Sequence, residues 1–345
     1  MNQATVYVES QVSHAGQIIT GFLMLKEQGW DVEIIDNSKG QPGFFHGLPM
    51  IRAEYRGKKL VYDMGDGYNV PEDIMTGLEG SDFYFKRSFS AEKNRALLKG
   101  YEGKMYPLGL YFRVTHKRNP INEPLWKALL KLLMGKASAR YFVPKVFEGK
   151  PEPEGDRPLR ILFLTQLWND HEPGFSDEEN AERTYINQMR IDIIRALRKC
   201  YGDAFIGGLN NNALSRAWAP DLIMPAEYTE RKRYLNLVHS CDICIGSMGL
   251  FESIGGKTGE YVAAAKAIVN ERLHYSVTGD FTEGVHYLSF ETVEQCLAAV
   301  QKLVDDPVLR LSMKQANAEY YRNFLRPDML VRNTLELVDR AIDGE

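Results

Sequence analysis

The sequence lacks the features that mark membrane-spanning, secreted and disulfide-stapled proteins. It has no apolar run of about 18 residues or more, so we expect no transmembrane helix. The opening segment, MNQATVYVESQ, has no basic stretch followed by an apolar one, and this predicts no signal peptide. Four cysteines in 345 residues are too few for a disulfide scaffold. We therefore expect a cytoplasmic protein.

The chain also lacks an excess of charge of either sign. Its 42 Lys and Arg stand against 46 Asp and Glu, a net charge of −4, so no nucleic-acid partner is expected. The sequence shows no internal repeat. Apolar residues, in contrast, make up 44% and include 16 Phe and 18 Tyr, which excludes a disordered chain. A chain of 345 residues suits two domains.

A proline-rich, charged stretch at residues 149–158 marks a boundary near the middle of the chain. Its three prolines can lie neither inside a helix nor in a central strand. We therefore predict an N-terminal, acceptor-side domain at residues 1–150 and a C-terminal domain at 151–325. The remaining residues, 326–345, are predicted to form an amphipathic helix that packs back on the first domain.

Strands and helices alternate in both halves, more regularly in the second. The first half predicts a helix at 15–28 and strands at 5–9, 31–35, 50–55, 59–62, 83–86 and 108–115. The second half predicts strands at 160–165, 204–207, 243–247, 267–270 and 285–290, and helices at 182–201, 229–240, 258–265, 293–305 and 308–322. Helices of this length between strands are typical of parallel βαβ units. The predicted fold class is α/β, with two Rossmann-like domains.

A glycine-rich loop after the predicted strand at 243–247 has the composition of a phosphate site. Gly255 and Gly256 allow backbone N–H groups to approach a ligand, and the helix that follows offers unpaired N–H groups and a partial positive charge. Lys257 adds a full charge. The loop is not a Walker A motif, because Phe251 occupies the place of the first glycine, and neither half carries G-x-G-x-x-G after its first strand.

Two glutamates in this region, Glu252 and Glu260, have seven residues between them. The segment resembles the nucleotide-sugar signature of GT-B glycosyltransferases, in particular the retaining family with a Glu-x7-Glu motif (glycosyltransferase family 4-like). The small residues at 263–265 and the glycine-rich turn and strand at 279–290 are similar to that family's pattern as well. The resemblance covers about residues 155–325.

The resemblance implies a GT-B-like fold, in which two Rossmann-like domains face an interdomain cleft. It implies that a hexosyltransferase-like enzyme moves a sugar from a nucleoside-diphosphate sugar to a saccharide, glycoconjugate or lipid-linked acceptor, and it favours retention. The nucleotide sugar is a substrate, so no permanently bound cofactor is expected. No metal site is expected either. The donor base and sugar, the linkage and the oligomeric state stay open.

The resemblance and the charges together suggest the donor-site residues. Glu252 would face the donor sugar and act as a catalytic residue, by resemblance. A carboxylate can accept two hydroxyl groups, so Glu260 suits the ribose; the alternative is that Glu260 only complements the helix dipole. The predicted nucleotide-binding set on this loop and helix is Gly255, Gly256, Lys257, Thr258 and Glu260.

The main departure from the family concerns the Arg and Lys residues that bind the diphosphate. The family usually carries them after the first strand of the C-terminal domain, but residues 166–180 contain no Arg or Lys. Lys257, or Arg183 and Arg190 from the next helix, would have to supply that charge. The departure keeps two other functions open, a non-catalytic GT-B module that binds a glycan or partner protein, and a sugar-nucleotide epimerase or hydrolase on the same fold.

Two polar residues after strands of the first half are catalytic candidates. His14 lies between a predicted strand and a helix, where a hydroxyl contact or a general base is expected. Asp63 follows a strand and precedes a glycine turn. An ordinary Asp-Gly turn is the alternative, especially for Asp66.

Residues 113–150 carry nine Lys and Arg against two Glu, and include an amphipathic pattern at 125–134. Such a segment suits peripheral contact with the inner face of an anionic membrane, or a lipid-linked or acidic saccharide. The alternative is a helix docked on its own domain with a solvated lysine face.

Overall fold

The computed structural model describes residues 3–9, 12–38, 48–69, 71–122, 142–153, 155, 157–171 and 174–344. The chain divides into two compact units. The first unit comprises Met1–Phe147, Ser276–Thr278 and Arg322–Glu345, and the second comprises Glu148–Tyr275 and Gly279–Tyr321. Each unit has its own sheet and its own helices, so the predicted α/β class is confirmed.

Strands and helices alternate along most of the described chain. The strands are β1 (Gln3–Val8), β2 (Asp31–Asp36), β3 (Met50–Tyr55), β4 (Lys58–Asp63), β5 (Phe83–Lys86), β6 (Met105–Pro107), β7 (Ile161–Thr165), β8 (Phe205–Leu209), β9 (Ile243–Gly246), β10 (Ala267–Glu271) and β11 (Leu288–Phe290). The helices are α1 (Gly16–Glu27), α2 (Pro71–Glu79), α3 (Ala91–Leu97), α4 (Asp177–Tyr201), α5 (Ala213–Trp218), α6 (Ala226–Thr229), α7 (Arg231–Ser240), α8 (Gly256–Ala263), α9 (Val293–Asp305), α10 (Pro307–Tyr320) and α11 (Pro327–Asp343).

The sheet of the first unit is mixed, in the order β2-β1-β3-β4-β5-β6. Strand β3 runs antiparallel to both of its neighbours, whereas the other pairs are parallel. The predicted strands at 50–55 and 59–62 pair as the hairpin β3–β4, and its two turn residues, Arg56 and Gly57, have φ values of 48° and 74°. Positive φ at both positions is the geometry that matches the twist of a two-residue hairpin.

Helix α11 packs against α1 within the first unit. Gly21 makes the close approach possible, since a Cβ there would lie 2.2 Å from the Pro327 carbonyl oxygen and 2.5 Å from Val331 Cγ2. Leu330 and Val331 are buried in the core of this unit. From the hairpin turn, Arg56 also donates hydrogen bonds to two carboxylates of α11. The last helix is therefore part of the first unit's core.

The predicted strand at 108–115 is wrong. Sheet pairing ends with β6, and an irregular segment follows. Pro107 has no N–H to donate, and Gly109 has a φ of 117°, so the ladder cannot continue. Leu108 and Phe112 are nevertheless buried, at 1% and 0% exposure. The apolar pattern here indicates burial and not strand pairing.

The predicted basic amphipathic pattern at 125–134 lies outside the described residues. Among the helices that the structure describes, none is both long and apolar enough to cross a membrane.

The sheet of the second unit contains five strands, all parallel, in the order β11-β10-β9-β7-β8. Every residue of β7, β9 and β10 is buried, as expected for central strands of a parallel sheet with both faces covered. Cys241 and Cys244 are buried and not disulfide-bonded, and burial raises the pKa of both thiols. The predicted parallel βαβ alternation is confirmed in this unit.

We predict that Gly21→Ala lowers the free energy of unfolding by about 2 kcal/mol or more, because the new methyl group overlaps the α11 backbone. Urea denaturation measures the change. Gly103→Ala is the control, since no atom lies within 4 Å of a Cβ at that position, and its effect is expected to stay within about 0.5 kcal/mol. Equal unfolding midpoints for the two variants would contradict the packing of α11 on α1.

Candidate functional site

The order of strands in the second unit defines where a ligand is expected. From β7 the chain moves to β8 on one side and then crosses to β9 on the other side. In open parallel sheets, the crevice at such a switch point, outside the carboxyl ends of the strands, is the usual ligand site. The loops that begin after Thr165 and after Gly246 start at this edge. We call the residues around the carboxyl ends of β7 and β9 the switch-point site.

The N-terminus of α8 contributes backbone groups to this site. The loop after β9 leads into α8, which begins at Gly256 with Gly255 as its N-cap. A Cβ at Gly255 would lie 2.9 Å from the Ser247 carbonyl oxygen, so the close approach of the two loop segments needs a glycine there. A glycine N-cap has no side chain to accept from the first turn. The Thr258 N–H donates to the Gly255 carbonyl at 3.0 Å, and the N–H groups of Gly256 and Lys257 point toward the helix start, where helices bind anions.

Lys257 lies in the first turn of α8 and extends to the end of β7. Its ammonium donates a hydrogen bond to the Leu164 carbonyl and lies 5.1 Å from the centre of the Tyr234 ring. Burial lowers the pKa of Lys257 to about 8, while the negative charge of Glu260 opposes that shift. The positive charge of Arg190 lowers it further. A desolvated cation at this position favours binding of a negatively charged group.

Arg190 of α4 holds the two loops of the switch-point site together. Its guanidinium donates hydrogen bonds to the carbonyls of Gln166 and Met248, at 2.6 and 2.8 Å, and to Ser247 Oγ, at 3.0 Å. Burial lowers the pKa of Arg190 to about 10, with the nearby Glu271 carboxylate opposing the shift. Arg190 therefore supplies positive charge and also fixes the backbone around the site.

Glu260 is buried at 4% exposure and forms a bidentate ion pair with Arg231, the first residue of α7. The charge of Arg231 also acts on Lys257. The sequence reasoning missed Arg231. The signal that could have revealed it is the run of three cations, residues 231–233, at a helix N-terminus, where positive charge opposes the helix dipole.

Two predicted nucleotide-binding residues have contacts elsewhere. Thr258 is fully buried and donates to Asn270 Oδ1 at 2.7 Å, between α8 and β10. Arg183 donates to the Glu179 carbonyl of its own helix and stacks 3.7 Å from the centre of the Phe175 ring. Thr258 connects helix to sheet, and Arg183 packs on the first turns of α4. The structure does not bring either side chain to Glu260.

Glu252 lies in a constrained turn before α8. Phe251 and Glu252 have φ values of 58° and 59°, a backbone conformation that residues other than glycine rarely adopt. Tyr275 holds the turn by donating to the Phe251 carbonyl at 2.8 Å, and Glu182 accepts from the Glu252 N–H at 3.1 Å. The Glu252 carboxylate is 43% exposed and lies 3.7 Å from His274 Nδ1. It is therefore accessible to a ligand, in contrast to the buried Glu260.

In the first unit, His14 follows β1 in a short 3-10 turn. Its ring lies 5.2 Å from that of Tyr111, centre to centre, and the Arg87 guanidinium lies 5.0 Å from the same Tyr111 ring. Arg87 is paired with Asp66 at 2.6 Å. Burial, and then the charge of Arg87, lower the pKa of His14 below 6.5, with the Asp66 carboxylate opposing the shift. His14 is therefore neutral at pH 7 and able to accept a proton.

Asp63 has a different environment. It is 1% exposed, and its carboxylate accepts from Lys86 Nζ at 2.7 Å, from Tyr84 at 2.8 Å and from the Gly65 N–H at 2.7 Å. A carboxylate with this many buried donors fixes the ends of β4 and β5. These contacts favour a structural role for Asp63 over the predicted catalytic one.

The structure thus gathers part of the predicted donor site. Glu260, Arg190 and Arg231 each act electrostatically on Lys257, which lies next to the Gly255–Gly256 entry to α8. Among the described residues, no group of three or more His, Cys, Asp or Glu has the arrangement needed for a metal ion.

We predict that Arg190→Met lowers the free energy of unfolding by about 1–3 kcal/mol, because two loop carbonyls lose their donor. Arg195→Met on the same helix is the matched control. Its exposed pair with Asp221 is expected to contribute less than about 1 kcal/mol. Both values come from urea unfolding, and equal losses in the two variants would disprove the role of Arg190 in the loops.

No protein-family model matches the chain, and no curated protein matches it in sequence. Among solved structures, Anabaena HepE in complex with UDP is 11% identical, with a TM-score of 0.48 over 96% of this chain and 99% of that one. A glycosyltransferase from Rickettsia africae ESF-5 is 13% identical, with a TM-score of 0.42 over 98% of each chain. The C-terminal domain of the group 1 glycosyl transferase LpcC from Francisella tularensis is 10% identical, with a TM-score of 0.36 over 53% of this chain and 97% of that one. Similarities of this size do not by themselves assign an activity or a ligand.

Proposed function

We propose that the chain is a GT-B-type glycosyltransferase that transfers a sugar from a nucleoside-diphosphate sugar to a saccharide, glycoconjugate or lipid-linked acceptor. One observation carries the proposal. At the switch-point site, beside the N-terminus of α8, the Lys257 ammonium interacts with one carboxylate, Glu260, and with two guanidinium groups, those of Arg190 and Arg231. Arg231 is paired with Glu260, and Arg190 lies near Glu271. The arrangement has an excess of positive charge in a desolvated place, which favours a diphosphate.

The chemistry of sugar transfer explains why this charge is useful. When the bond between sugar and diphosphate breaks, negative charge develops on the leaving nucleoside diphosphate. Lys257 and the N–H groups of α8 stabilise that charge more in the transition state than in the ground state, and this accelerates the reaction. The absence of Arg and Lys from residues 166–180 is then no obstacle, because α4, α7 and α8 supply the cations.

The two glutamates of the Glu-x7-Glu pattern have separate roles in this proposal. The buried Glu260 accepts hydrogen bonds from the ribose hydroxyls. Glu252, which is exposed and held by a constrained turn, faces the donor sugar. The pattern favours retention of configuration and a hexose donor. Thr258 and Arg183 keep their structural contacts and are not assigned to the nucleotide.

The first unit is proposed to supply the acceptor side of the reaction. His14, neutral at pH 7, is suited to accept the proton of the attacking hydroxyl group or to orient that group. Asp63 is assigned a structural role in the ends of β4 and β5.

We predict that at least one of UDP, GDP, ADP and dTDP binds with millimolar affinity or better in titration calorimetry. Lys257→Met should weaken that binding about tenfold or more, because it removes the desolvated cation. Glu260→Gln should weaken it by about 1–3 kcal/mol through lost hydroxyl contacts. A folded wild-type protein that binds none of the four would disprove the proposed function.

The pH dependence of nucleotide binding gives a second test. Since the pKa of Lys257 is lowered to about 8, its side chain is charged below that pH and neutral above it. We expect the affinity for the bound nucleotide to fall as the pH rises from 7 to 9 in the wild type. Lys257→Arg stays charged throughout and should remove the decline. The same decline in both proteins would mean that another group is responsible.

We predict that His14→Gln reduces sugar transfer roughly a hundredfold, as expected when a general base is lost. The dissociation constant of the donor nucleotide should not change, because His14 belongs to the acceptor side. Transfer is measured with the nucleotide sugar that the calorimetric screen selects. A variant that loses nucleotide affinity and transfer together would assign His14 to the donor instead.

A further inference from the structure

The backbone at residues 248–253, which we call the Glu252 turn, is strained at two consecutive positions. Phe251 has φ and ψ of 58° and 38°, and Glu252 has a φ of 59°, although neither residue is glycine. For residues with a Cβ atom positive φ costs free energy, so it persists only where the surrounding structure holds it. The groups that bind this turn therefore fix the backbone position from which the Glu252 carboxylate extends.

Two buried side chains, one at the end of β10 and one just after it, bind the Glu252 turn. Glu271, the last residue of β10, accepts a hydrogen bond from the Met248 N–H at 2.8 Å. Tyr275 donates its hydroxyl to the Phe251 carbonyl at 2.8 Å. Since Glu271 is 5% exposed and Tyr275 is 4% exposed, water competes little with these bonds. The turn is thus attached to the second sheet at its beginning and at its strained centre.

Helix α4 binds the same turn through two further side chains. Arg190 donates to the Met248 carbonyl at 2.8 Å, and Glu182 accepts from the Glu252 N–H at 3.1 Å. Residue 248 therefore has a cation bound at its carbonyl and an anion bound at its N–H, and the charges of Arg190 and Glu271 attract each other. Side chains from two separate elements impose a conformation that the turn's own sequence does not favour.

Two backbone hydrogen bonds close the turn, and both join residues other than the strained pair. The Gly249 N–H donates to the Ser253 carbonyl at 2.8 Å, and the Ser253 N–H donates to the Leu250 carbonyl at 3.1 Å. The strained pair is bound by the Tyr275 hydroxyl and by the Glu182 carboxylate. Loss of the Tyr275 hydroxyl is therefore expected to relax the strained backbone and to move Glu252.

We propose that Tyr275 and Glu271 are positioning residues for sugar transfer, which hold the Glu252 turn so that the Glu252 carboxylate faces the donor sugar. The inference rests on the proposed function, because the role of Glu252 is taken from it. The Glu252 side chain is 43% exposed, whereas Tyr275 and Glu271 are buried, so of these three residues only Glu252 is placed to touch a ligand. Tyr275 and Glu271 bind backbone groups and act through Glu252.

The first measurement tests whether the hydroxyl holds the turn. Tyr275→Phe removes one oxygen atom and keeps the ring, and hydrogen–deuterium exchange with mass spectrometry follows the peptide that covers residues 247–253. Exchange in this peptide should become roughly tenfold faster, because the turn opens more often, while peptides from β7 and β9 keep their rates. Tyr201→Phe, whose hydroxyl donates to the Gln301 side chain at an exposed position, is the matched control and should leave the turn unchanged.

The second measurement tests the consequence for transfer, with the nucleotide sugar that the calorimetric screen selects. Tyr275→Phe should lower kcat roughly tenfold or more, because a small displacement of a reacting group already costs rate. The dissociation constant of the nucleoside diphosphate alone should change less than about twofold, since Lys257 and the start of α8 lie outside the turn. Adding Tyr275→Phe to Glu252→Gln should lower kcat by less than about twofold further, since the effect passes through Glu252.

Phe251→Gly provides a test that a general loss of stability would not pass. Glycine adopts positive φ without steric cost, so the turn needs less support from the Tyr275 hydroxyl. In the Phe251→Gly background, Tyr275→Phe should therefore lower kcat by about threefold or less.

Glu271 is tested by two variants of similar size. Glu271→Gln keeps an acceptor oxygen for the Met248 N–H, whereas Glu271→Met has none. Glu271→Gln should therefore retain roughly tenfold more activity than Glu271→Met. If Glu271→Met does not fold, because the buried Arg190 then lacks a nearby opposite charge, Tyr275→Phe alone decides the proposal.

The outcomes separate this inference from the proposed function. If the wild type binds none of the nucleoside diphosphates in the screen, the proposed function fails and this inference fails with it. If the wild type transfers sugar and Tyr275→Phe leaves kcat unchanged, only this inference fails. The positioning role is overturned if kcat falls without faster exchange in the turn, if nucleotide affinity falls as much as kcat, or if the loss is the same with and without Phe251→Gly.

Discussion

Buried positive charge at the carboxyl ends of β7 and β9 is the constraint on which the loops of the second unit depend. The guanidinium of Arg190 is removed from water, and its loss of hydration is offset by two loop carbonyls and a serine hydroxyl. The same contacts fix the loops that the proposed donor would meet. Lys257 uses the last part of β7 in the same way. The same hydrogen bonds therefore hold the cations in place and fix the loops around them.

Such an arrangement is suited to stabilise a leaving group that becomes more negative during the reaction. Dipoles and cations that are already fixed need no rearrangement when the charge develops. A lysine whose pKa is lowered to about 8 is easily brought back to full charge by an arriving anion. Glu260, paired with Arg231, is in the proposed function an acceptor for hydroxyl groups beside donors for phosphate. The proposed donor requires both kinds of contact, one for its ribose and one for its diphosphate.

Much of the second unit could be predicted because its information is local. Apolar strands, glycine turns and capped helices follow one another, and the Gly255–Gly256 entry to α8 is visible in the sequence. The Arg231–Glu260 pair could not be predicted, because its members lie 29 residues apart on different helices and meet only after the strands have paired. At residues 108–115 the sequence pattern was misleading, because apolar residues can be buried without forming a strand. Asp63 could be found as a polar residue at a strand end, but its two buried side-chain donors, Tyr84 and Lys86, lie 21 and 23 residues further along the chain.

The packing of α11 on α1 has a consequence for the order in which the protein forms during synthesis. The first unit takes its core from segments about 300 residues apart in sequence, with Gly21 against Pro327. A ribosome that has released the first 150 residues has therefore not yet released the helix that completes them. All strands of the second unit emerge earlier than that helix, so the second unit can finish folding while the first still exposes the apolar face of α1. The nascent chain depends on α11, Pro327–Asp343, to bury a surface of α1, Gly16–Glu27.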